Sequence, residues 1–427
     1  ERSSGTRPGA AAIDRGSAGG AGREYDAIVV GARCAGSPTA MLLARKGYRV
    51  LAVDRATFPS DTMSTHIIHP RGVAALARWG LLERLLATGC PPIATYAFDF
   101  GPLTISGSPG PAGGTRDALC PRRIVLDALL AEAAGDAGVE LREGFVVDEL
   151  LVDGDRVRGV RGHTRSGATV TERARIVIGA DGRHSLVAKA VRAASYNERP
   201  PLSAGYYSYW SGLATDRFEA YIRPDRAFGA APTNGDLTIL IVNWPRAEFE
   251  ANRRDVEGNC LAALELAPQF AERVRGATRE TRFVGTADLP NFFRRPSGPG
   301  WALVGDAGYH KDPITAQGIS DAFRDAEAMA DAVDDAFAGR CPIDEAMARY
   351  QRTRDESALP IFELTCEFAT LAPPPPEMQQ LLGAMHGDRD AMDGFIGVMA
   401  GTVPPAAFFG PENTARIMAG ATAAATG

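Results

Sequence analysis

The stretch Tyr25–Arg55 constrains the fold more than any other part of the chain. It reads YDAIVVGARCAGSPTAMLLARKGYRVLAVDR. An apolar, β-branched run, Ala27 to Val30, ends in Gly31, and a short turn follows through Ala32, Arg33, Cys34, Ala35, Gly36 and Ser37. A helix-like stretch closed by Gly47 leads to a second apolar run, Arg49 to Val53, ending in Asp54. Strand, glycine turn, helix and strand in this order fit either a dinucleotide-binding unit or an ordinary βαβ turn of another α/β protein. Gly31 suits the tight turn, and Gly36 the close packing of helix on strand. The first N–H groups of the helix have no partner within it and face a diphosphate. Asp54 lies 23 residues after Gly31, where a carboxylate accepts from adenosine ribose hydroxyls. Position 33 breaks the G-x-G-x-x-G spacing, because its middle glycine is Arg33. That side chain either points outward or sets its charge on the phosphates.

The 427 residues, 45% hydrophobic and 23% charged, suit two joined domains plus an extension. A net charge of −6 gives no electrostatic case for nucleic acid or an anionic membrane. Six cysteines (Cys34, Cys90, Cys120, Cys260, Cys341, Cys366) show neither CxxC nor paired spacing. That pattern fits a reducing cytoplasm better than a disulfide framework or a zinc site. No apolar run approaches the roughly 18 residues of a membrane span. Residues 1–24 are rich in Gly, Ala, Ser and Arg without an apolar core, and read as a disordered tail rather than a signal peptide.

The loop Arg55 to Pro70 carries His66 and His69, each either a satisfied loop residue or a lining for a reactive ring. With no third ligand candidate nearby, the pair is weak evidence for a metal site. Gly72 to Leu86 has helical apolar spacing with Gly80 inside. Arg122 and Arg123 open a helix to Ala137. A meander of short strands with an Asp153-Gly154 turn spans 139–172, and a buried strand, Ala174 to Ile178, delivers Gly179, Ala180, Asp181 and Gly182. From 203 to 290 aromatics cluster. Period-2 spacing sets Tyr207 and Tyr209 on one face of a strand, and Tyr206 and Trp210 on the other. Such a face is either core or the roof of a pocket for a flat apolar molecule. A strand ending in Gly305-Asp306 then leads through Pro313 into a helix from about Gly318 to Phe337, whose N-terminus suits an anion. Helices split by Pro373 to Pro376 close the chain.

Three of these pieces occur together: the glycine turn at 31–36, Gly-Ala-Asp-Gly at 179–182, and V-G-D-A…P…G-I at 304–319. In this order the chain resembles the FAD-dependent monooxygenases related to para-hydroxybenzoate hydroxylase, a superfamily shared with geranylgeranyl reductases and flavin halogenases. The resemblance spans about residues 25–345. It implies an α/β fold: a Rossmann-like FAD-binding domain of the glutathione-reductase type, a mixed or antiparallel substrate sheet, and C-terminal helices. The FAD-binding parts would be 25–85, 116–190 and 285–345. The substrate parts would be 86–115 and 191–284, and the C-terminal helices 346–427.

By the same resemblance Gly31, Ala35 and Gly36 would cradle the FAD diphosphate, and Arg33, which departs from the family's glycine, would either join them through its charge or point outward. Asp54, with Arg55 beside it, would hold the adenosine ribose. Arg123 would lie along the cofactor, and Val147 would meet the adenine through its backbone. Asp181 would stand near phosphate or ribose, and Asp306 would bind the ribityl chain or diphosphate. Pro313 would sit beside the isoalloxazine, with the Gly318 and Ile319 amides at its N1–C2=O edge. The family's D-G-x-x-S-x-x-R ends here at Ala188, and its histidine after Gly-Asp-Ala is shifted to His310.

The implied reaction is hydroxylation of an aromatic or other apolar small molecule. NAD(P)H reduces FAD, O2 adds at flavin C4a, and the hydroperoxide delivers oxygen. Candidates for handling a substrate proton are His66, Tyr207 and Tyr209, with Pro313 at the flavin. No metal is needed. The alternatives are a reductase of carbon–carbon double bonds, a halogenase and a noncatalytic flavoprotein. The halogenase W-x-W-x-I-P string is missing, its nearest counterpart being Asn243-Trp244-Pro245. The expected setting is cytoplasmic, as a monomer or homodimer without nucleic-acid or membrane partners.

Overall fold

The computed structural model of the chain describes residues 24–426. The expected disordered tail lies, but for Glu24, outside them. The first apolar runs become the centre of a parallel sheet. Tyr25–Val30 pairs in parallel with Val50–Asp54 on one side and Thr169–Gly179 on the other. Trp301–Leu303 extends the sheet beyond Thr169–Gly179, and Glu140–Glu143 extends it beyond Val50–Asp54. Ala27 and Val29 face the helices Gly36–Arg45, Arg123–Asp136 and Gly318–Phe337 in one apolar core. Ile28 and Val30 face the other way, against Leu150 and Val160 of the hairpin Val146–Asp153/Arg156–His163 and Phe145 just before it. Parallel strands covered on both faces are apolar at every position, which is why this run shows no alternation.

The second sheet is largely antiparallel. It runs Thr278–Arg279, Ser203–Ser211, Leu237–Pro245, Arg226–Thr233, Phe218–Arg223, Tyr96–Asp99, Thr104–Gly107. The alternation along Ser203–Ser211 divides as its spacing predicts. Tyr206 and Trp210 pack with Trp244 and Phe270 under the helices Val256–Leu264 and Pro268–Arg275. Tyr207 and Tyr209 pack on the opposite face with Ile67, Ala316 and the C-terminal residues Phe395 and Met399.

One expected helix is two. The chain is helical over Pro70–Arg78, leaves the helix at Gly80 (φ +76°) and resumes at Leu82–Leu86. The apolar spacing continues across the break because both pieces pack on one core, so periodicity alone did not reveal it. The helix Ile343–Phe368 runs along Gly318–Phe337, and the helices Pro376–Met385, Arg389–Met399, Pro405–Phe408 and Pro411–Thr426 close over the end of the second sheet. Thr365 meets Thr315 at 2.7 Å, and the Gln317 amide donates to the Met399 carbonyl at 2.7 Å. Among the described residues no helix is long and apolar enough to cross a membrane, and no cluster of His, Cys, Asp and Glu could hold a metal.

Candidate active site

The glycine turn is fixed by contact. A Cβ on Gly36 would stand 1.7 Å from the Gly31 carbonyl oxygen, and one on Gly31 would stand 2.5 Å from that of Ala180. Any side chain at either position drives helix and strand apart. Asp54, at the end of its strand, accepts from the backbone N–H of Ala32 at 2.8 Å and of Ala56 at 2.7 Å. It therefore locks the turn. Arg55 is exposed beside it.

Arg33 turns its guanidinium sideways. It donates to Asp127 at 2.6 Å and to the Ser60 hydroxyl at 2.8 Å. Asp127 is fully buried and also takes both ends of the Arg123 fork at 3.0 Å and the Cys34 thiol at 3.3 Å. One carboxylate thus holds two guanidiniums along the groove, and Arg33 reaches across to the loop that bears His66.

The remaining groove residues come from three chain crossings. Val147 is buried at the start of the hairpin. Asp181 caps the helix Leu186–Ala190 through one oxygen, at 2.7 Å from the Leu186 N–H, and its other oxygen is buried without a protein partner. Burial pushes its carboxyl up. Asp306 is exposed between buried Gly305 and Ala307 and lines a small hollow with Lys311, Gly318 and Asp321. Pro313 begins a short turn, half-buried, and Gly318 stands exposed at the head of a 20-residue helix with Ile319 buried behind it. A Cβ on Gly318 would meet nothing within 4 Å. Open amides at a helix head, a cradle closed to side chains, a carboxylate at the end of the second strand and an unpartnered buried acceptor fit FAD.

Lys311 is buried and ion-paired with Asp321, one turn into that helix, and it donates to the Tyr309 hydroxyl. Arg324 joins Asp321 at 2.8 Å and Asp325 at 2.7 Å. Burial alone would raise the Asp321 pKa, but Lys311 and Arg324 hold it at about 2. The cluster ties the Pro313 loop to the helix head.

The His66, Tyr207 and Tyr209 side chains meet. His66 is a non-glycine residue at φ +67°, a backbone state that persists only where its surroundings enforce it. Its Nδ1–H donates to the Ser64 carbonyl at 2.6 Å, and its Nε2 accepts from the Tyr209 hydroxyl at 2.6 Å. The Tyr207 ring stands edge-on to both. Burial first, then the charges of Arg123 and Arg122, lower the His66 pKa to about 3. Burial raises Tyr207 to about 12 and pushes Tyr209 higher still. His69 goes elsewhere. It accepts from Tyr96 and donates to the Thr315 carbonyl, and burial lowers its pKa to about 4. Asn243-Trp244-Pro245 lies on the strand Leu237–Pro245, with Trp244 buried on the sheet face away from His66.

These depressed histidines predict acid lability. Each is neutral when folded but takes a proton near 6.5 when unfolded, so their contribution is complete above 6.5 and drains as pH falls toward the folded values. Each removes on the order of 1 kcal/mol per pH unit across that window. Asp312, raised to about 6 chiefly by burial, and Asp181, pushed up by burial, work in the opposite sense, while His310, lowered by burial, works with the pair. Tm should fall between pH 7 and pH 5, and His69→Gln should flatten the fall. An equal slope in that variant contradicts the assignment.

The FAD binding domain family matches residues 24–361. The chain belongs to that family. Its cofactor is FAD, and the family is one of FAD-dependent oxidoreductases. The tryptophan 2-halogenase of Chondromyces crocatus is 26% identical over 76% of this chain, and the match spans 64% of that protein's length. The 6-methylpretetramide 4-monooxygenase of Streptomyces rimosus is 28% identical over 72% of this chain and 74% of its own. The solved structure of the myxobacterial chondrochloren halogenase superposes with a TM-score of 0.74 at 22% identity, over 93% of this chain and 98% of that one. The fold is the one the three motifs imply.

Spacing did not find Asp127 as the shared anchor of Arg33 and Arg123, nor the Lys311–Asp321 pair, nor Arg122 stacked over Tyr209. The first had a signal, since Arg123 and Asp127 stand four apart on one helix face.

Proposed function

We propose that the chain is an NAD(P)H- and O2-dependent FAD monooxygenase that hydroxylates an aromatic small molecule. The observation that carries this reading is the buried chain Ser64–His66–Tyr209 beside Tyr207 on the substrate sheet. The Tyr209 hydrogen is committed to His66, so its oxygen is oriented to accept from a substrate hydroxyl. Because charging His66 is costly at this depth, the chain polarises that hydroxyl rather than removing its proton outright. Polarisation enriches the ring in electrons where oxygen enters. FAD supplies oxygen activation once reduced. The protein's own part is to hold the ring, keep water out and orient the acceptor.

The sequence holds three lysines, Lys46, Lys189 and Lys311. Lys46 is ion-paired at the surface, Lys189 is exposed on the helix Leu186–Ala190, and Lys311 is buried against Asp321. None stands in the His66 cluster, which weighs against halogen transfer through a lysine amine. Tyr207 and Tyr209 share one packed apolar core with Leu382, Met385 and Phe395, which weighs against a long polyprenyl tunnel.

The test is isotopic. The FAD-loaded protein, given NADPH, 18O2 and a panel of phenols, should yield a product carrying one 18O. Tyr209→Phe should cut product by about 10²-fold while NADPH oxidation continues as peroxide release. Product dependent on added chloride or bromide, or reduced product without oxygen uptake, overturns the reading.

A further inference from the structure

His69 joins three parts of the molecule. It stands buried at the entry to the helix Pro70–Arg78, and its backbone N–H donates to the Ser320 hydroxyl at 3.1 Å. Gly72, one turn on, presses on the same serine, since a Cβ there would stand 2.7 Å from Ser320 Oγ. The His69 ring lies between the Tyr96 hydroxyl, 2.7 Å from Nδ1, and the Thr315 carbonyl, 3.1 Å from Nε2. A carbonyl only accepts, so Nε2 carries the ring proton and Nδ1 takes the Tyr96 hydrogen. Tyr96 packs in the same core as Tyr207 and Tyr209. One imidazole therefore links the second sheet to the loop before Gly318.

Thr315 precedes a backbone state that must be imposed. Ala316 is left-handed at φ +53°, which glycine adopts freely and a residue with a Cβ does not. The Ala316 N–H closes the turn on the Pro313 carbonyl at 2.8 Å, and the Thr315 carbonyl is left to His69. That carbonyl cannot swing away without leaving a buried donor unmade. The helix Gly318–Phe337 begins two residues after Ala316, so the direction of its first N–H groups follows from this turn.

We propose that His69 is a positioning residue for the flavin: by holding the Thr315 carbonyl it imposes the left-handed turn at Ala316 and so sets where the first amides of the helix Gly318–Phe337 point. The proposal takes those amides to face the N1–C2=O edge, as the family resemblance implies, and it does not depend on the hydroxylase reading. Helix-head N–H groups stabilise negative charge, and flavin gains it at that edge on reduction. The midpoint potential of bound FAD therefore reports their placement.

The test is that potential, measured on the FAD-loaded protein by dye equilibration without substrate. A glutamine amide reaches the place of Nε2, and an asparagine amide that of Nδ1. His69→Gln keeps the bond to Thr315 and should hold the parent potential. His69→Asn gives it up, and should bind reduced relative to oxidised flavin about tenfold less tightly, a fall of about 30 mV. Adding Ala316→Gly to His69→Asn should return most of the fall, because glycine keeps the turn without a tether. A parent potential in His69→Asn overturns the proposal. So does an equal fall in the Gln and Asn variants, or no recovery with Ala316→Gly. Where His69→Asn does not retain FAD, hydrogen–deuterium exchange over residues 313–322 of the apo proteins decides. Faster exchange in His69→Asn than in the parent and His69→Gln supports the proposal, and equal exchange in all three overturns it. No turnover enters either measurement, so a protein that shows the fall yet incorporates no oxygen sinks the hydroxylase reading alone.

Discussion

Gly36→Val should yield protein without bound FAD, most of it insoluble. The Cβ alone would stand 1.7 Å from the Gly31 carbonyl oxygen, and Ala180 closes the other side at 3.1 Å. Neither neighbour can yield cheaply. Gly31 and Ala180 end adjacent strands at the centre of the parallel sheet, and moving them breaks the register Val30↔Gly179. Overpacking in a well-packed core costs about 1–3 kcal/mol where side chains absorb it, and a clash with backbone costs more. Against a total stability of about 5–15 kcal/mol, that loss unfolds much of the protein. Soluble expression and the flavin-to-protein absorbance ratio check it. A yellow, soluble variant with parent Tm contradicts the packing described here.

Asp127→Ala should be nearly as damaging, by an electrostatic route. The substitution leaves Arg123, only 9% exposed, and Arg33 facing each other with no carboxylate between them. Removing one partner of a buried ion pair typically costs about 3–5 kcal/mol, because the stranded charge loses solvent and partner together. Arg33 can recover by swinging toward solvent, and Arg123 cannot. The double variant Asp127→Ala/Arg123→Met should therefore regain much of the lost stability, whereas Asp127→Ala/Arg33→Gly should regain less. Thermal unfolding of the holo and apo forms measures both. Equal rescue by the two would show that the damage is not specific to the buried guanidinium.

The legible parts of the sequence were those with short-range causes. The strand–turn–helix around Gly31 and Gly36 is set by backbone sterics, and the helix over Gly318–Phe337 runs between the limits its spacing suggests. The division of Tyr207 and Tyr209 from Tyr206 and Trp210 follows from the two-residue repeat of a strand. What the sequence hid was pairing across long separations. Arg33 and Asp127 are 94 positions apart, and His66 and Tyr209 are 143 apart. Composition and period carry no information about which distant side chains converge. Arg33 stayed ambiguous between an outward side chain and a phosphate contact for that reason, and its partners are Asp127 and Ser60. The break at Gly80 was hidden by an apolar pattern that both helices share. The motif-poor region 346–427 gave no sign that Thr365 and Met399 reach the Pro313 loop, because a carbonyl acceptor such as that of Met399 has no side-chain signature.

The measurement that bears most directly on the central claim is a single turnover. The FAD-loaded protein is reduced anaerobically with one equivalent of NADPH, given each phenol of the panel in turn, mixed with 18O2 and quenched. The expected result is one 18O in a hydroxylated ring for each flavin reoxidised, with product falling in Tyr209→Phe and peroxide rising in its place. Reoxidation to peroxide alone, with every ring recovered unchanged across the panel, would contradict it.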